Sequence, residues 1–192
     1  MRLSVLCPAI VVMLVPASPA LAAPYLLEGH WVEVDYWAGA GASETVLVID
    51  WNQTNGPYVS EAHAWGYRWD GDATLADALA AVAAAGPLEV VTGYGGGFLL
   101  DAFYADADGD QHTSDGFSGW WWIGESADGG ATWTANAAGI DQKTLAPGRL
   151  EGFNMDSGAW TSATLTVPVP EPATCALVAV ALAGLFVRRK VR

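Results

Sequence analysis

The end of the chain places the strongest constraint on what the rest of it can fold into. Pro168, Pro170 and Pro172 bracket Glu171, and an apolar run from Cys175 to Val187 follows. Prolines favour an extended chain, whereas an apolar run in lipid must satisfy its own backbone as a helix. Basic residues keep the terminus on the cytoplasmic side, and here they are Arg188, Arg189, Lys190 and Arg192. The sequence therefore predicts a transmembrane helix over about 173–187, with the bulk of the chain outside the cytoplasm.

The beginning of the chain has the three parts of a secretory signal peptide. Arg2 is followed by an apolar stretch from Leu3 to Val15 and by the small residues Ala20 and Ala22. This order predicts a signal helix over residues 1–22, cleaved after Ala22. The apolar stretch is shorter than the roughly 20 residues of a spanning helix, which argues against a retained anchor.

The order of features at the C-terminus resembles a known sorting segment. Pro170, Glu171 and Pro172, the apolar run and the basic tail are similar to the PEP-CTERM segment of Gram-negative, biofilm-forming bacteria. The resemblance covers residues 168–192 and implies recognition and processing by an exosortase in the inner membrane. Residues 23–167 then form a β-rich domain outside the cytoplasm, anchored to the inner membrane or processed to the cell surface or matrix. An ordinary single-pass tail anchor is the alternative.

Charge and cysteine content limit what this domain does. Between Ala23 and Val187 the only basic residues are Arg68, Lys143 and Arg149, against all 21 acidic residues of the chain. Such a field repels nucleic acid and other anionic surfaces, and it attracts divalent cations. The only cysteines, Cys7 and Cys175, lie in the two targeting segments, so the domain has no disulfide, thiol nucleophile or thiolate zinc site.

Hydrophobic periodicity predicts strands and one helix. Residues 30–37 alternate and residues 44–51 are β-rich, so we expect them to form a hairpin. Thr74 and Asp77 mark the start of a helix that ends before Gly86, with Leu75, Ala78, Leu79 and Val82 along its packed side. Further strands are predicted at 88–92, 98–104, 118–123, 144–145 and 159–167.

Residues 72–155 resemble a second family. The helix start Thr74-Leu75-Ala76-Asp77, the strand Gly97–Leu100, the run Gly119–Ile123 and the segment Thr144–Glu151 are similar to the transcobalamin-like C-terminal domain. The resemblance implies a β-grasp-like sheet packed on one helix. We therefore expect a mainly β fold with one packed helix, of the α+β class, plus the signal helix and the C-terminal transmembrane helix.

The domain is rich in tryptophan, which suggests a binding surface. All ten tryptophans lie between the targeting segments. Strand alternation sends Trp120 and Trp122 to one face and Trp121 to the other, so at least one of the three should lie outside the core. Exposed indole rings stack on sugars, which makes Trp120, Trp121, Trp122 and Trp133 candidates for glycan stacking and exopolysaccharide a candidate partner. Packing of these rings in the core is the alternative.

Acidic residues offer a weak cation site and no catalytic one. Asp106, Asp108 and Asp110 alternate as calcium ligands do, but the glycine and the distal acid of a calcium loop are missing. His30, His63 and His112 are scattered, without a paired-histidine motif or a nucleophile with a partner. We expect no catalytic residue and no cofactor, with calcium as the one candidate.

These observations favour a non-enzymatic surface or extracellular-matrix protein. Its partners would be the export machinery, the exosortase and the inner membrane, and its role structural or adhesive. A carbohydrate-binding module is the first alternative, and a small secreted hydrolase is the second.

Overall fold

The computed structural model describes residues 23–52, 61–114, 120–156 and 165–169, with only the backbone of Trp120 and Asp156. Its one helix and its strands follow the chain in the order β1 (Ala23–Leu27), β2 (His30–Val34), β3 (Trp37–Gly39), β4 (Ser43–Asp50), β5 (Ala62–Trp69), α1 (Leu75–Ala85), β6 (Glu89–Gly93), β7 (Phe98–Ala105), β8 (Gln111–Thr113), β9 (Trp120–Ser126), β10 (Thr134–Ala135) and β11 (Leu150–Asp156). The prediction of a mainly β fold with one helix is confirmed for these residues.

A mixed six-stranded sheet in the order β10-β9-β11-β4-β5-β3 forms the centre of the domain. Strand β11 runs parallel to β4 and antiparallel to β9. A three-stranded sheet, β6-β7-β8, and the hairpin β1-β2 complete the fold.

Both faces of the central sheet are covered. Alternation along β4 sends Leu47 and Ile49 to a core shared with α1 and β7, whereas Val46 and Val48 face a second core shared with β1 and β2. Residues on both faces of β4 are therefore buried, and this strand has no solvent face.

Helix α1 is as the sequence predicts. The Thr74 side chain accepts a hydrogen bond from the Asp77 N–H, and the Asp77 carboxylate accepts one from the Thr74 N–H, which forms a capping box. Gly86 follows the last turn, and the four predicted packing positions are the buried ones.

The predicted hairpin between residues 30–37 and 44–51 is wrong. Strand β2 pairs with β1, across a turn in which Glu28 and Gly29 both have positive φ, at 46° and 88°. Two such residues give a tight turn whose twist suits antiparallel strands. Strand β4 pairs instead with β5 and β11.

Two other strand predictions differ from the structure, and several strands, β5 and β11 among them, were not predicted. Thr144 makes only an isolated bridge with Thr74. Residues 165–167 are not in a strand, and residues 157–164 of that predicted strand lie outside the described part. Strand β11 was not predicted, although it lies between β9 and β4. The β-grasp-like arrangement stays a prediction.

The last described residues, 165–169, lie beside the β1-β2 hairpin. The Glu33 N–H donates to the Pro168 carbonyl at 2.8 Å, while Pro24 pairs with Glu33 in β1-β2. No helix among the described residues has the length and apolar character needed to cross a membrane.

The capping box gives a direct test of the helix. Replacing Thr74→Ala removes the acceptor for the Asp77 N–H and should lower the free energy of unfolding by about 1 kcal/mol in urea denaturation. Thr74→Ser, which keeps a hydroxyl oxygen as the acceptor at the same position, is the control and should leave the value almost unchanged. Equal stability of the two variants would contradict this account of the cap.

Candidate metal centre

Two histidines and an aspartate meet where the central sheet packs against the β6-β7-β8 sheet. The Nε2 atoms of His63 and His112 lie 3.1 Å apart. Asp106 Oδ2 lies 3.3 Å from His112 Nε2 and 3.9 Å from His63 Nε2. Three donor atoms from two distant parts of the sequence therefore surround one point.

The turn between β7 and β8 positions the side chains of Asp106 and His112. Asp106 follows β7, and its Oδ1 accepts the N–H groups of Asp108 and Asp110, both at 2.9 Å. Oδ2 is thereby left to face His112, which returns on β8. Burial opposes ionisation, but the hydrogen bonds from His112 and from these N–H groups hold the pKa of Asp106 below its ordinary value.

Asp35 orients the other histidine. Its N–H donates to the Ala64 carbonyl at 2.8 Å, which fixes the residue beside β5. Its Oδ2 lies 3.1 Å from His63 Nδ1. A proton on Nδ1 is held there by the carboxylate, so Nε2 presents its lone pair to the site, as in carboxylate–histidine–metal arrangements.

Aromatic rings enclose the histidines. The Trp51 ring centre lies 5.3 Å from that of His112, and its Nε1–H donates to the Ala102 carbonyl at 2.9 Å. Tyr104 packs edge-on against His63 at 4.8 Å. Burial and the charge of Asp35 raise the pKa of the Tyr104 hydroxyl, which keeps it neutral. His112 has no exposed surface, so its environment is dry.

The spacing of the donors fits a transition-metal ion. A point equidistant from His63 Nε2, His112 Nε2 and Asp106 Oδ2 lies at about 2.0 Å from each, which is the length of a zinc bond to nitrogen or oxygen. Glu61, exposed immediately before β5, completes a group of four whose ligand atoms all lie within 4.8 Å of one another. Two imidazoles and two carboxylates suit Zn²⁺ better than Ca²⁺.

The same atoms are compatible with a site that holds only a proton. If His112 carries hydrogen on Nε2, it donates to Asp106 or to His63, and the three groups form a hydrogen-bonded chain. The two states differ in whether both Nε2 atoms act as acceptors, and metal titration distinguishes them.

Sequence reasoning identified only one member of this centre. Asp106 belonged to the calcium candidate, but the metal-capable group contains His63, His112 and Glu61 rather than Asp108 and Asp110. The interpretation of the histidines as scattered is wrong for His63 and His112, because β5 and β8 bring residues 49 positions apart into contact. No local spacing signals such a pair.

The glycan-stacking candidates are distributed differently from what we expected. Trp121 and Trp122 are 7% and 5% exposed, because each face of the central sheet is covered, so neither presents a ring for a sugar. Trp133 is half-buried. The side chain of Trp120 and the sorting and signal residues Pro170, Glu171, Pro172, Ala20 and Ala22 lie outside the described part.

Comparison with known proteins identifies the C-terminal segment. Residues 168–190 match the family model described as the PEP-CTERM protein-sorting motif. The prediction of a PEP-CTERM sorting segment is thereby confirmed, and the motif supports export and exosortase sorting. No curated protein and no solved structure matches it, so the transcobalamin-like resemblance stays a prediction.

The role of Asp35 is testable by titration with Zn²⁺. Asp35→Asn removes the charge that holds the Nδ1 proton of His63, and the affinity for Zn²⁺ measured by calorimetry should fall about 10- to 100-fold. Asp72→Asn, at an exposed position before α1, should bind like the parent. An unchanged affinity in Asp35→Asn would exclude this positioning role.

Proposed function

We propose that the chain is a non-enzymatic protein of the cell surface or extracellular matrix whose exported domain is stabilised by a bound Zn²⁺ ion. The observation that carries the proposal is the meeting of His63, His112 and Asp106 at bonding distances around one point. The sorting motif at residues 168–190 supports the location.

The position of the ligands favours a structural ion. His63 belongs to the central sheet, whereas Asp106 and His112 belong to the β7-β8 turn and strand, so one ion joins two layers of the domain. With Glu61 as fourth ligand the shell is closed, which is the arrangement of structural zinc sites. The chain has no cysteine between Cys7 and Cys175. A metal ion would therefore stabilise this domain as disulfides stabilise other exported domains.

A structural or adhesive role agrees with the remainder of the domain. Its surface is strongly acidic, which favours solubility and contact with cationic partners. A carbohydrate-binding role is less well supported, since Trp121 and Trp122 are buried.

A small secreted hydrolase is the second candidate. Glu61 is exposed, and if its carboxylate stays off the ion, water takes the fourth position and Glu61 stands beside it as a base. Glu61→Gln separates the two functions. Weaker Zn²⁺ binding without any hydrolytic activity in the parent supports the structural ion, whereas loss of a measured hydrolytic activity supports the enzyme.

Metal binding predicts a gain in stability. Zn²⁺ at about 100 times its dissociation constant should raise the free energy of unfolding of the purified full chain by about 2.7 kcal/mol. The measurement is urea denaturation followed by tryptophan fluorescence, with and without a chelator.

Matched histidine variants provide the control. His63→Ala should abolish the Zn²⁺ effect, while His30→Ala, an exposed histidine on β2, should keep it. If the parent chain gains no stability from Zn²⁺, the three groups form a proton-linked chain and the metal proposal fails.

The location is tested through the sorting motif. Glu171→Gln removes the carboxylate between the prolines, and we expect the variant to keep its C-terminal segment and to remain with the inner membrane. The test compares cell fractions and product masses with those of the parent and of Glu89→Gln, at an exposed position of β6. Identical fractions and masses for Glu171→Gln would contradict recognition of this residue.

A further inference from the structure

A second group of ionisable side chains lies at β9 and β11, which β4 separates from the strand of His63. Lys143 Nζ contacts Glu125 Oε2 and lies 3.6 Å from Glu151 Oε1. Glu125 of β9 and Glu151 of β11 are directly opposite each other in the antiparallel ladder, so their side chains share one face. An amine and two carboxyl groups are thus held together.

Burial decides the state of Glu151. Its side chain has no exposed surface, against 14% for Lys143 and 34% for Glu125. Among the described residues neither oxygen of Glu151 has a hydrogen-bond partner. Burial raises the pKa of Glu151 to about 7, the charge of Lys143 opposes this rise, and the charge of Glu125 adds to it. Glu151 therefore stands in this site as a neutral acid through most of the acidic range.

The backbone holds Lys143 against its neighbours. Its N–H donates to the Gly139 carbonyl, and its own carbonyl accepts the N–H of Leu75 at the start of α1, both at 2.9 Å. Glu125 is fixed by pairing with β10 and β11. The amine and the carboxyl group are therefore held at reacting distance by structured segments rather than by mobile loops.

We propose that Lys143 and Glu125 form an intramolecular amide bond between Nζ and Cδ, with Glu151 as the catalytic acid. The bond joins β9 to the turn at residues 140–143, which lies beside the start of α1. It closes a loop of 18 positions in sequence. It depends on no metal and on neither cysteine.

The reaction is a condensation that balances without another reactant. A proton passes from the Lys143 ammonium to the Glu125 carboxylate, which leaves a neutral amine and a carboxylic acid. Nζ attacks Cδ, and the Glu151 carboxyl group donates a hydrogen bond to the developing oxyanion. Glu151 then takes a proton from the nitrogen as it gives its own to the leaving hydroxyl. The C–O bond breaks, and one amide and one water molecule result.

Position and solvent exposure favour this outcome over a simple ion pair. Holding the two groups together gives a high effective concentration, and an oxyanion is stabilised more strongly by a donor in a dry site than in water. Glu125 is the most exposed of the three side chains, so the water that forms has a route to solvent while Glu151 remains sealed.

Mass spectrometry of the purified full chain tests the bond. Trypsin cuts a linear chain after Arg68, Lys143 and Arg149, which gives separate peptides 69–143 and 144–149. An amide on Nζ blocks cleavage at Lys143, so we expect one peptide, 69–149, lighter by one water molecule, with fragment ions that locate the link at Glu125. Separate peptides of full mass from a chain shown to be folded by circular dichroism would overturn the proposal.

Two variants check the roles of the residues. Lys143→Arg keeps the positive charge but should show full mass, and a persisting loss of water would assign that loss to another site, such as an Asp-Gly sequence. Glu151→Gln removes the acid and should slow formation of the bond by a factor of roughly 100 or more in refolded protein. Formation at the parent's rate would overturn the assignment of Glu151.

Discussion

The domain depends on one strand inserted between two others. Strand β11 pairs in parallel with β4 and antiparallel with β9, and without it the β9-β10 pair has no link to the rest of the central sheet. Its side chains enter both cores, because Phe153 packs on the α1 side and Leu150 on the hairpin side. The same strand supplies Glu151. The backbone pairings of this one strand therefore complete the central sheet, separate the two cores and bury Glu151.

The two proposed links solve one problem at two places on this sheet. An exported domain without internal cysteines has only its core to hold its layers together. The His63 centre joins β5 to the β7-β8 sheet, and the Lys143 group joins β9 to the segment below α1. The first link joins residues 49 positions apart and the second residues 18 positions apart, and each closure restricts the unfolded chain. Burying charged groups is costly. In the His63 centre a metal ion would neutralise them, and in the Lys143 group an amide bond would do so.

Local signals were readable from the sequence, and long-range pairing was not. Helix α1 was predictable because Thr74, Asp77 and Gly86 act on their immediate neighbours. Strand β11 was not, because the segment Leu150–Asp156 contains glycine, asparagine and acids that are rare in strands and is buried on both faces. The same covering of both faces placed Trp121 and Trp122 in different cores, where alternation alone suggested an exposed ring. The pairing of His63 with His112 depends on the packing of two sheets, which no single segment encodes.

The exit of the chain beside β2 determines how the domain responds to mechanical pull. Residues near Pro24 and Pro168 flank Glu33 from opposite sides, so the chain enters and leaves within two strand spacings, roughly 10 Å. A domain tethered through its C-terminal segment is therefore held beside the β1-β2 hairpin. Drag from flowing fluid would first load the hydrogen bonds that hold residues 165–169, those between Pro168 and Glu33 and between Thr166 and Asp50, and would then pass along the chain to β11, the strand that precedes the tethered segment.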